Sequence, residues 1–121
     1  MQSIGNGIEV LEYLTVDRTL LSSQLKRFEI YQDIDGVAIN FYFRLLYTKA
    51  DVLLSFKGVT SYGFYHNSDH YFYSVESLKF LTADGMFYIS IDPYHTEGIS
   101  EEDNNFVLSK SLKGFIEEDN L

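Results

Sequence analysis

Residues 37–47 alternate between apolar and other side chains directly after the dipeptide Asp35-Gly36, and this pattern limits the possible folds more than any other segment. Apolar side chains occupy every second position of this segment, at Val37, Ile39, Phe41, Phe43 and Leu45. A period of two places these side chains on one face of a strand. Asp-Gly favours two-residue hairpin turns, because both central positions of such a turn need a positive φ. The segment therefore predicts a β-hairpin with a half-buried second strand.

Folding the chain at Asp35-Gly36 predicts the residues that face each other. The apolar face receives the pairs Ile34–Val37, Gln32–Ile39, Ile30–Phe41 and Phe28–Phe43. Only Gln32 is polar among them, so turn chemistry and hydrophobic pattern select the same register. Tyr31 and Tyr42 fall on the opposite, mostly polar face.

A second hairpin is predicted around Asp84-Gly85 by the same reasoning. Folding there pairs Thr82 with Phe87, Phe80 with Ile89, and Leu78 with Ile91. Pro93 cannot donate a ladder hydrogen bond, so we expect the strand that begins near Met86 to end by Asp92.

The remaining segments add further elements. Residues 52–56, 62–65 and 71–75 resemble short strands, and Gly58 and Gly63 are candidate bulges or bends. Residues 8–14 alternate like a first strand, whereas residues 17–26 fit a short helix. Residues 104–117 have both a helical and an alternating pattern, and the alternation favours a strand.

These elements predict a mainly β fold for a single domain over residues 1–121. Six to eight strands joined by short turns pack as an antiparallel two-sheet sandwich or a small barrel, with one short helix near the N- or C-terminus. No helical crossover segments separate the strands, which argues against a parallel sheet.

The charge distribution restricts the partners. The net charge is −9, of which residues 84–121 contribute −7 and the first 83 residues only −2. Nucleic acid and anionic membranes require basic patches, so the expected partner is a protein, preferably a basic one. The chain contains no cysteine, and its start has no signal-peptide pattern, so we expect a cytoplasmic protein.

No residue pattern indicates catalysis or a cofactor. There is no cysteine nucleophile, serine elbow or phosphate-binding glycine loop, so we expect a non-enzymatic protein without a cofactor. His66, Asp69 and His70 offer a weak alternative as zinc ligands. Their four-residue spacing suits a helix, however, and this segment has the composition of a turn. The acidic residues between Asp92 and Asp103 lack the spacing of a calcium-binding loop.

Acidic and tyrosine side chains are the candidate binding surface. Exposed tyrosine gives a large contact area at low entropic cost. The predicted partner-binding residues are Asp92, Tyr94, Glu97, Glu101, Glu102 and Asp103 in the segment after the second hairpin, with Tyr31 and Tyr42 on the first hairpin.

Three tracts carry a family resemblance: YISIDPY at 88–94, DNNF at 103–106 and VLLSFKGV at 52–59. Together they resemble small β-rich bacterial proteins of unknown function, of the immunity-protein type found beside toxin genes. The resemblance covers residues 25–113 and implies a protein that binds and occludes a partner. The acidity of this chain would then suit a basic toxin.

Two alternative functions remain at this point. A β-barrel lined by Phe and Tyr would enclose a small apolar ligand. A structural homo-oligomer would pair exposed strand edges or tyrosine faces.

Overall fold

The structure is a computed structural model that describes residues 1–69, 73–95 and 97–119. Within that part, seven strands are present: β1 (Gln2–Asn6), β2 (Gln24–Asp33), β3 (Gly36–Leu45), β4 (Ala50–Gly63), β5 (Lys79–Ala83), β6 (Met86–Asp92) and β7 (Asn104–Glu118). A short helix, α1 (Ile8–Glu12), continues into a π-helical turn, Tyr13–Asp17. The predicted mainly β class and number of strands are therefore confirmed. A short helix near one terminus is also present, but not over the residues predicted for it.

All seven strands belong to one antiparallel sheet built around β7. The order is β2-β3-β4-β7-β6-β5, and β1 also pairs with β7. One edge of β7 pairs with β4 from residue 106 to residue 118. The other edge pairs with β6 through residues 104–109 and with β1 through residues 113–116. The sheet is not closed, so the two-sheet sandwich and the barrel stay predictions.

The second hairpin has the predicted register. Phe80 pairs with Ile89, and Thr82 pairs with Phe87. Asp84 and Gly85 both have positive φ angles, 52° and 77°, as the two-residue turn requires. The second strand of this hairpin ends at Asp92, directly before Pro93, as predicted.

The register predicted for the first hairpin is wrong by two residues. Ile30 pairs with Ile39 instead of Phe41, because the turn is formed by Ile34 and Asp35. The Asp33 carboxylate accepts a hydrogen bond from the backbone N–H of Asp35 (2.9 Å), and this contact stabilises the earlier turn. A shift of two residues leaves each strand residue on the predicted side of the sheet. Burial agrees only in part, because Ile34 is 100% and Ile30 41% exposed, whereas Ala38 on the opposite face is buried.

The predictions for the N-terminal segment are wrong. Residues 8–14 form a helix and not the predicted strand, with Val10 and Leu14 buried. A spacing of four residues fits both a strand and a helix, so this pattern is ambiguous. Residues 17–26 do not form the predicted helix. Instead Ser22 has a φ of 65°, and Ser22 and Ser23 exchange backbone hydrogen bonds with Val75, leading into β2 at Gln24.

The long strands also correct the predicted boundaries. Residues 52–56 and the first two residues of 62–65 belong to one continuous strand, β4. Gly58 has a φ of 62° just before a bulge between Val59 and Ser61. The favoured strand over residues 104–117 is confirmed as β7. Of the predicted strand over residues 71–75, positions 71 and 72 lie outside the described residues, and Ser74 makes a single bridge to Gln24.

One hydrophobic cluster runs through the described residues and joins α1 to strands β2–β7. Phe41 lies fully buried in it, with its ring centroid 5.7 Å from those of both Phe43 and Phe56. The helix packs against β7 at Gly114, where an added Cβ would lie 2.7 Å from Cγ1 of Val10. Among the described residues, no helix has the length and apolar character needed to cross a membrane.

Gly114→Ala should therefore destabilise the protein through the contact between β7 and α1. We expect a loss of about 1–3 kcal/mol in the free energy of unfolding, because the new methyl group overpacks against Val10. Urea denaturation measures this loss, and Lys113→Ala, at an exposed neighbouring position, serves as the control.

A double-mutant cycle tests the cause. In a Val10→Ala background, Gly114→Ala should cost much less, because the clashing atoms are absent. An equal cost in both backgrounds would contradict this packing arrangement.

Candidate functional site

The candidate site is built on a buried carboxylate at Asp103, directly before β7. The Asp103 side chain has no exposed surface. Its Oδ1 accepts hydrogen bonds from Lys79 Nζ (2.9 Å) and from the backbone N–H of Tyr94 (2.7 Å). Its Oδ2 accepts from the Tyr88 hydroxyl (2.7 Å) and from the backbone N–H of Ser100 (3.0 Å). Each oxygen of the Asp103 carboxylate thus accepts two hydrogen bonds.

These contacts keep Asp103 ionised. Burial alone would raise the pKa of its carboxyl group, but the hydrogen bonds from Lys79, Tyr88, Ser100 and Tyr94 outweigh burial and lower that pKa. In turn, burial and the neighbouring carboxylate raise the pKa of the Tyr88 hydroxyl, which stays a donor. The ionised Asp103 carboxylate and Lys79 form a buried ion pair.

The hydrogen bonds of Asp103 determine the path of the segment between β6 and β7, residues 92–103, which we call the acidic loop. Tyr94 lies near its beginning and Ser100 near its end, and both backbone amides bind the same carboxylate. The loop therefore closes on Asp103. Between these two points, the described residues His95, Glu97, Gly98 and Ile99 are exposed.

The predicted contact residues of the acidic loop have different environments. Tyr94 is 47% exposed. Glu97, Glu101 and Glu102 are exposed, whereas Asp92 is half-buried and pairs with Asn104 at the end of β6. The prediction that Asp103 is a contact residue is corrected by its burial. Its carboxylate has no accessible surface and holds the loop, so Asp103 is not part of the contact surface.

The two tyrosines of the first hairpin lie elsewhere. Tyr31 is 38% exposed on β2. Tyr42 on β3 is half-buried; its hydroxyl donates to the Glu29 carboxylate (3.0 Å) and its ring lies under the Arg27 guanidinium, 4.2 Å from the centroid. Strand β4 separates β3 from β7 in the sheet order. The structure therefore does not bring these tyrosines together with the acidic loop.

The weak metal alternative gains no support from the described residues. His66 and Asp69 are exposed, and the backbone N–H of Asp69 donates to the Asn67 side chain (2.9 Å) in a turn. His70 lies outside the described residues. Nowhere in residues 1–69, 73–95 and 97–119 do three His, Asp or Glu side chains cluster as metal ligands.

An aromatic cavity lies beside β2. Its volume is about 460 Å³, and its lining residues are Phe28, Phe64, Tyr65, His66 and Tyr73. Phe28 and Phe64 stack with centroids 4.6 Å apart. The backbone N–H of Tyr65 donates to the side chain of Asn105 (2.8 Å), which attaches this wall of the cavity to β7.

Sequence reasoning missed the roles of Lys79, Tyr88 and Ser100. A signal was present for the first two, because the correctly predicted register of the second hairpin places Lys79 diagonal to Tyr88 on one face. A lysine and a tyrosine turned toward the protein interior need an acceptor. The sequence contained no indication of which carboxylate this would be.

Comparison of the chain with protein-family models, curated proteins and solved structures found no match. The functional interpretation therefore depends on the geometry of the site itself.

The acid stability of the protein should depend on the hydrogen bonds to Asp103. Its pKa in the folded state lies below the unfolded value of about 3.9, so its contribution is complete above that value and is lost as pH falls through the folded pKa. Tyr88→Phe removes one donor and should raise the folded pKa. In this variant we therefore expect a smaller total loss of stability on acidification, and a loss that is complete at a higher pH.

Urea denaturation between pH 7 and pH 3 measures this shift. Tyr94→Phe is the matched control, because only the backbone of Tyr94 contacts Asp103. Identical pH profiles for the Tyr88→Phe variant and the unmodified protein would contradict the role of Tyr88.

Proposed function

We propose that this protein is a non-enzymatic interaction module that binds a basic protein partner through its acidic loop. The observation that carries the proposal is the buried Asp103 carboxylate, which holds both ends of the loop while Tyr94, Glu97, Glu101 and Glu102 stay exposed. A contact surface whose backbone is already ordered loses less conformational entropy on binding. The proposed contact therefore has one aromatic side chain surrounded by carboxylates.

The charge distribution supports a basic partner. Residues 84–121 carry a net charge of −7, and the three exposed glutamates of the loop belong to this part. Complementary charge accelerates association and excludes acidic competitors more than it adds affinity. In the immunity-type form of the proposal, the partner is a basic toxin that this protein occludes.

A second candidate function has its own observation. The aromatic cavity has a volume of about 460 Å³, within the range of roughly 300–1,000 Å³ of small-molecule sites. Its aromatic walls suit a small apolar ligand. Binding there would not depend on the charge of the acidic loop, so a single set of variants separates the two candidates.

Reversing the charge of the loop tests the first proposal. The variant Glu97→Lys, Glu101→Lys, Glu102→Lys changes the net charge from −9 to −3 and leaves Asp103 and its donors in place. We expect the association rate with the captured basic partner to fall by about tenfold or more at low salt. Affinity capture at low and high salt identifies that partner, and surface plasmon resonance measures the rate.

The matched control carries the same charge change at other exposed positions: Glu12→Lys, Glu76→Lys, Glu117→Lys. It should retain most of the binding if the loop is the contact surface. An equal loss of binding in both variants would show that binding depends on overall net charge and not on the loop. Unchanged binding in the loop variant would contradict the proposed site.

A further inference from the structure

Strand β2 lies at an edge of the sheet, and only the beginning of its outer side is covered. It pairs with β3 on its inner side. On the outer side, Gln24 forms a bridge to Ser74, and the backbone N–H of Leu25 donates to the Tyr73 carbonyl oxygen (2.7 Å). Within the described residues, no backbone group bonds to the outer side of residues 30–33. An edge strand with unpaired N–H and C=O groups is a template for another strand.

The turn of the first hairpin determines which backbone groups of β2 face outward. Asp33 and Gly36 close this two-residue turn and are therefore a hydrogen-bonded pair. Such pairs alternate with non-hydrogen-bonded pairs along an antiparallel ladder, so Tyr31 also bonds to β3. Ile30 and Gln32, in contrast, direct their N–H and C=O groups away from β3. Both residues are exposed.

The strand at the opposite edge of the sheet, β5, is less suited to accept another strand. It has five residues, against ten in β2, and short edge strands are one way in which proteins avoid edge-to-edge pairing. None of its large apolar side chains is exposed, whereas Ile30, Tyr31 and Ile34 of the first hairpin are 41%, 38% and 100% exposed. Open backbone groups and exposed apolar side chains thus coincide on β2 and its turn.

The charges along this edge are self-complementary. Lys26 and Arg27 lie at one end, and Asp33 and Asp35 lie at the other. When two copies of such a strand pair antiparallel, the basic end of each faces the acidic end of the other, whereas a strand of uniform charge would meet like charges at one end. Residues 26–35 have two basic and three acidic side chains, a net charge of −1 in a chain of −9. The partner that fits this edge is therefore a second copy of the chain.

We propose that the protein forms a twofold-symmetric dimer in which the β2 edges of two copies pair antiparallel about Tyr31. In this register Ile30 of each copy pairs with Gln32 of the other, so that the outward groups of both residues gain hydrogen bonds. The two Tyr31 side chains lie directly opposite each other as a cross-strand aromatic pair. Arg27 of each copy faces Asp35 of the other.

The same register places two acidic side chains opposite each other, Glu29 of one copy and Asp33 of the other. Both carboxylates already have partners within their own chain. Lys57 Nζ lies 3.7 Å from the Asp33 carboxylate, and the Glu29 carboxylate accepts hydrogen bonds from Asn40 (2.9 Å) and Tyr42 (3.0 Å). These contacts offset the repulsion between the two copies.

The dimer goes beyond the proposed function. Strands β3, β4 and β7 separate β2 from β6, which leads into the acidic loop. Pairing at β2 therefore joins the sheets of two copies without using the glutamates of that loop.

Disulfide trapping in the full chain tests the register, because the protein contains no cysteine of its own. Tyr31→Cys places two cysteines directly opposite each other, with Cα atoms about 4.5 Å apart, within the range of a disulfide. Ile30→Cys is the matched control at similar exposure, since its two copies are diagonal and about 7–8 Å apart. We expect mild oxidation to link the Tyr31→Cys variant at least about tenfold faster. Equal rates in both variants, or no linked dimer, would overturn the proposal.

Sedimentation velocity between about 10 µM and about 1 mM tests the dimer without a cross-link. The unmodified protein should approach twice the mass of one chain as its concentration rises. Gln32→Pro removes an outward N–H and leaves the bonds to β3 in place, so the dissociation constant should rise by about tenfold or more. Thr82→Pro is the matched control, because Thr82 is exposed and precedes the turn of the second hairpin by the same number of residues.

The Thr82→Pro variant should therefore dimerise like the unmodified protein. A monomer at the highest concentration, or a loss of the dimer in the Thr82→Pro variant and not in the Gln32→Pro variant, would contradict pairing at β2. Urea denaturation shows whether each proline variant is folded, and the cysteine comparison decides the question if Gln32→Pro is not.

Discussion

A carboxylate without access to water has to be compensated inside the protein, and at Asp103 this requirement determines the arrangement of the whole β5–β7 region. Removing an ionised carboxylate from water is costly unless charged and neutral donors replace its hydration. Lys79 from β5, Tyr88 from β6, and the backbone of Tyr94 and Ser100 supply these donors. One side chain thus connects two strands and both ends of the acidic loop.

Strand β7 connects the acidic loop with the end of the sheet where Glu118 pairs with Arg18. It contains 15 residues, which at about 3.3 Å per residue correspond to roughly 50 Å of extended chain. The acidic loop precedes its first residue, and Glu118, which pairs with Arg18, is its last. Because β4 pairs with one edge of this strand and β6 and β1 pair with the other, its backbone is hydrogen-bonded on both sides.

The elements that could be predicted from the sequence are those whose structure depends on residues close together in the chain. The hairpin at Asp84-Gly85 has the predicted register because two consecutive positive φ angles suit these residues. At Asp35-Gly36 the same dipeptide pattern was misleading, since the side chain of Asp33 stabilises a turn one position earlier. The side of the sheet on which each strand residue lies was still predicted correctly, because an even shift does not change it. Burial was not, since Ile30 is exposed although it belongs to the predicted apolar face.

Elements that depend on distant partners were not predictable in the same way. Residues 8–14 are helical because Val10 packs against Gly114, more than 100 positions later in the chain. The exposed acidic residues of the candidate site were recognisable from composition and charge. The distinction between Asp103 and its acidic neighbours was not, since it depends on donors from β5, β6 and the loop backbone that only the folded chain brings together.

Amide hydrogen exchange in the unmodified protein shows whether Asp103 orders the acidic loop. If the carboxylate holds the loop, the amides of Tyr94 and Ser100 will exchange nearly as slowly as those of β6 and β7, while Glu97 and Gly98 between them exchange rapidly. Rapid exchange at all four positions would contradict the account, because the loop would then open without disturbing the strands that flank it.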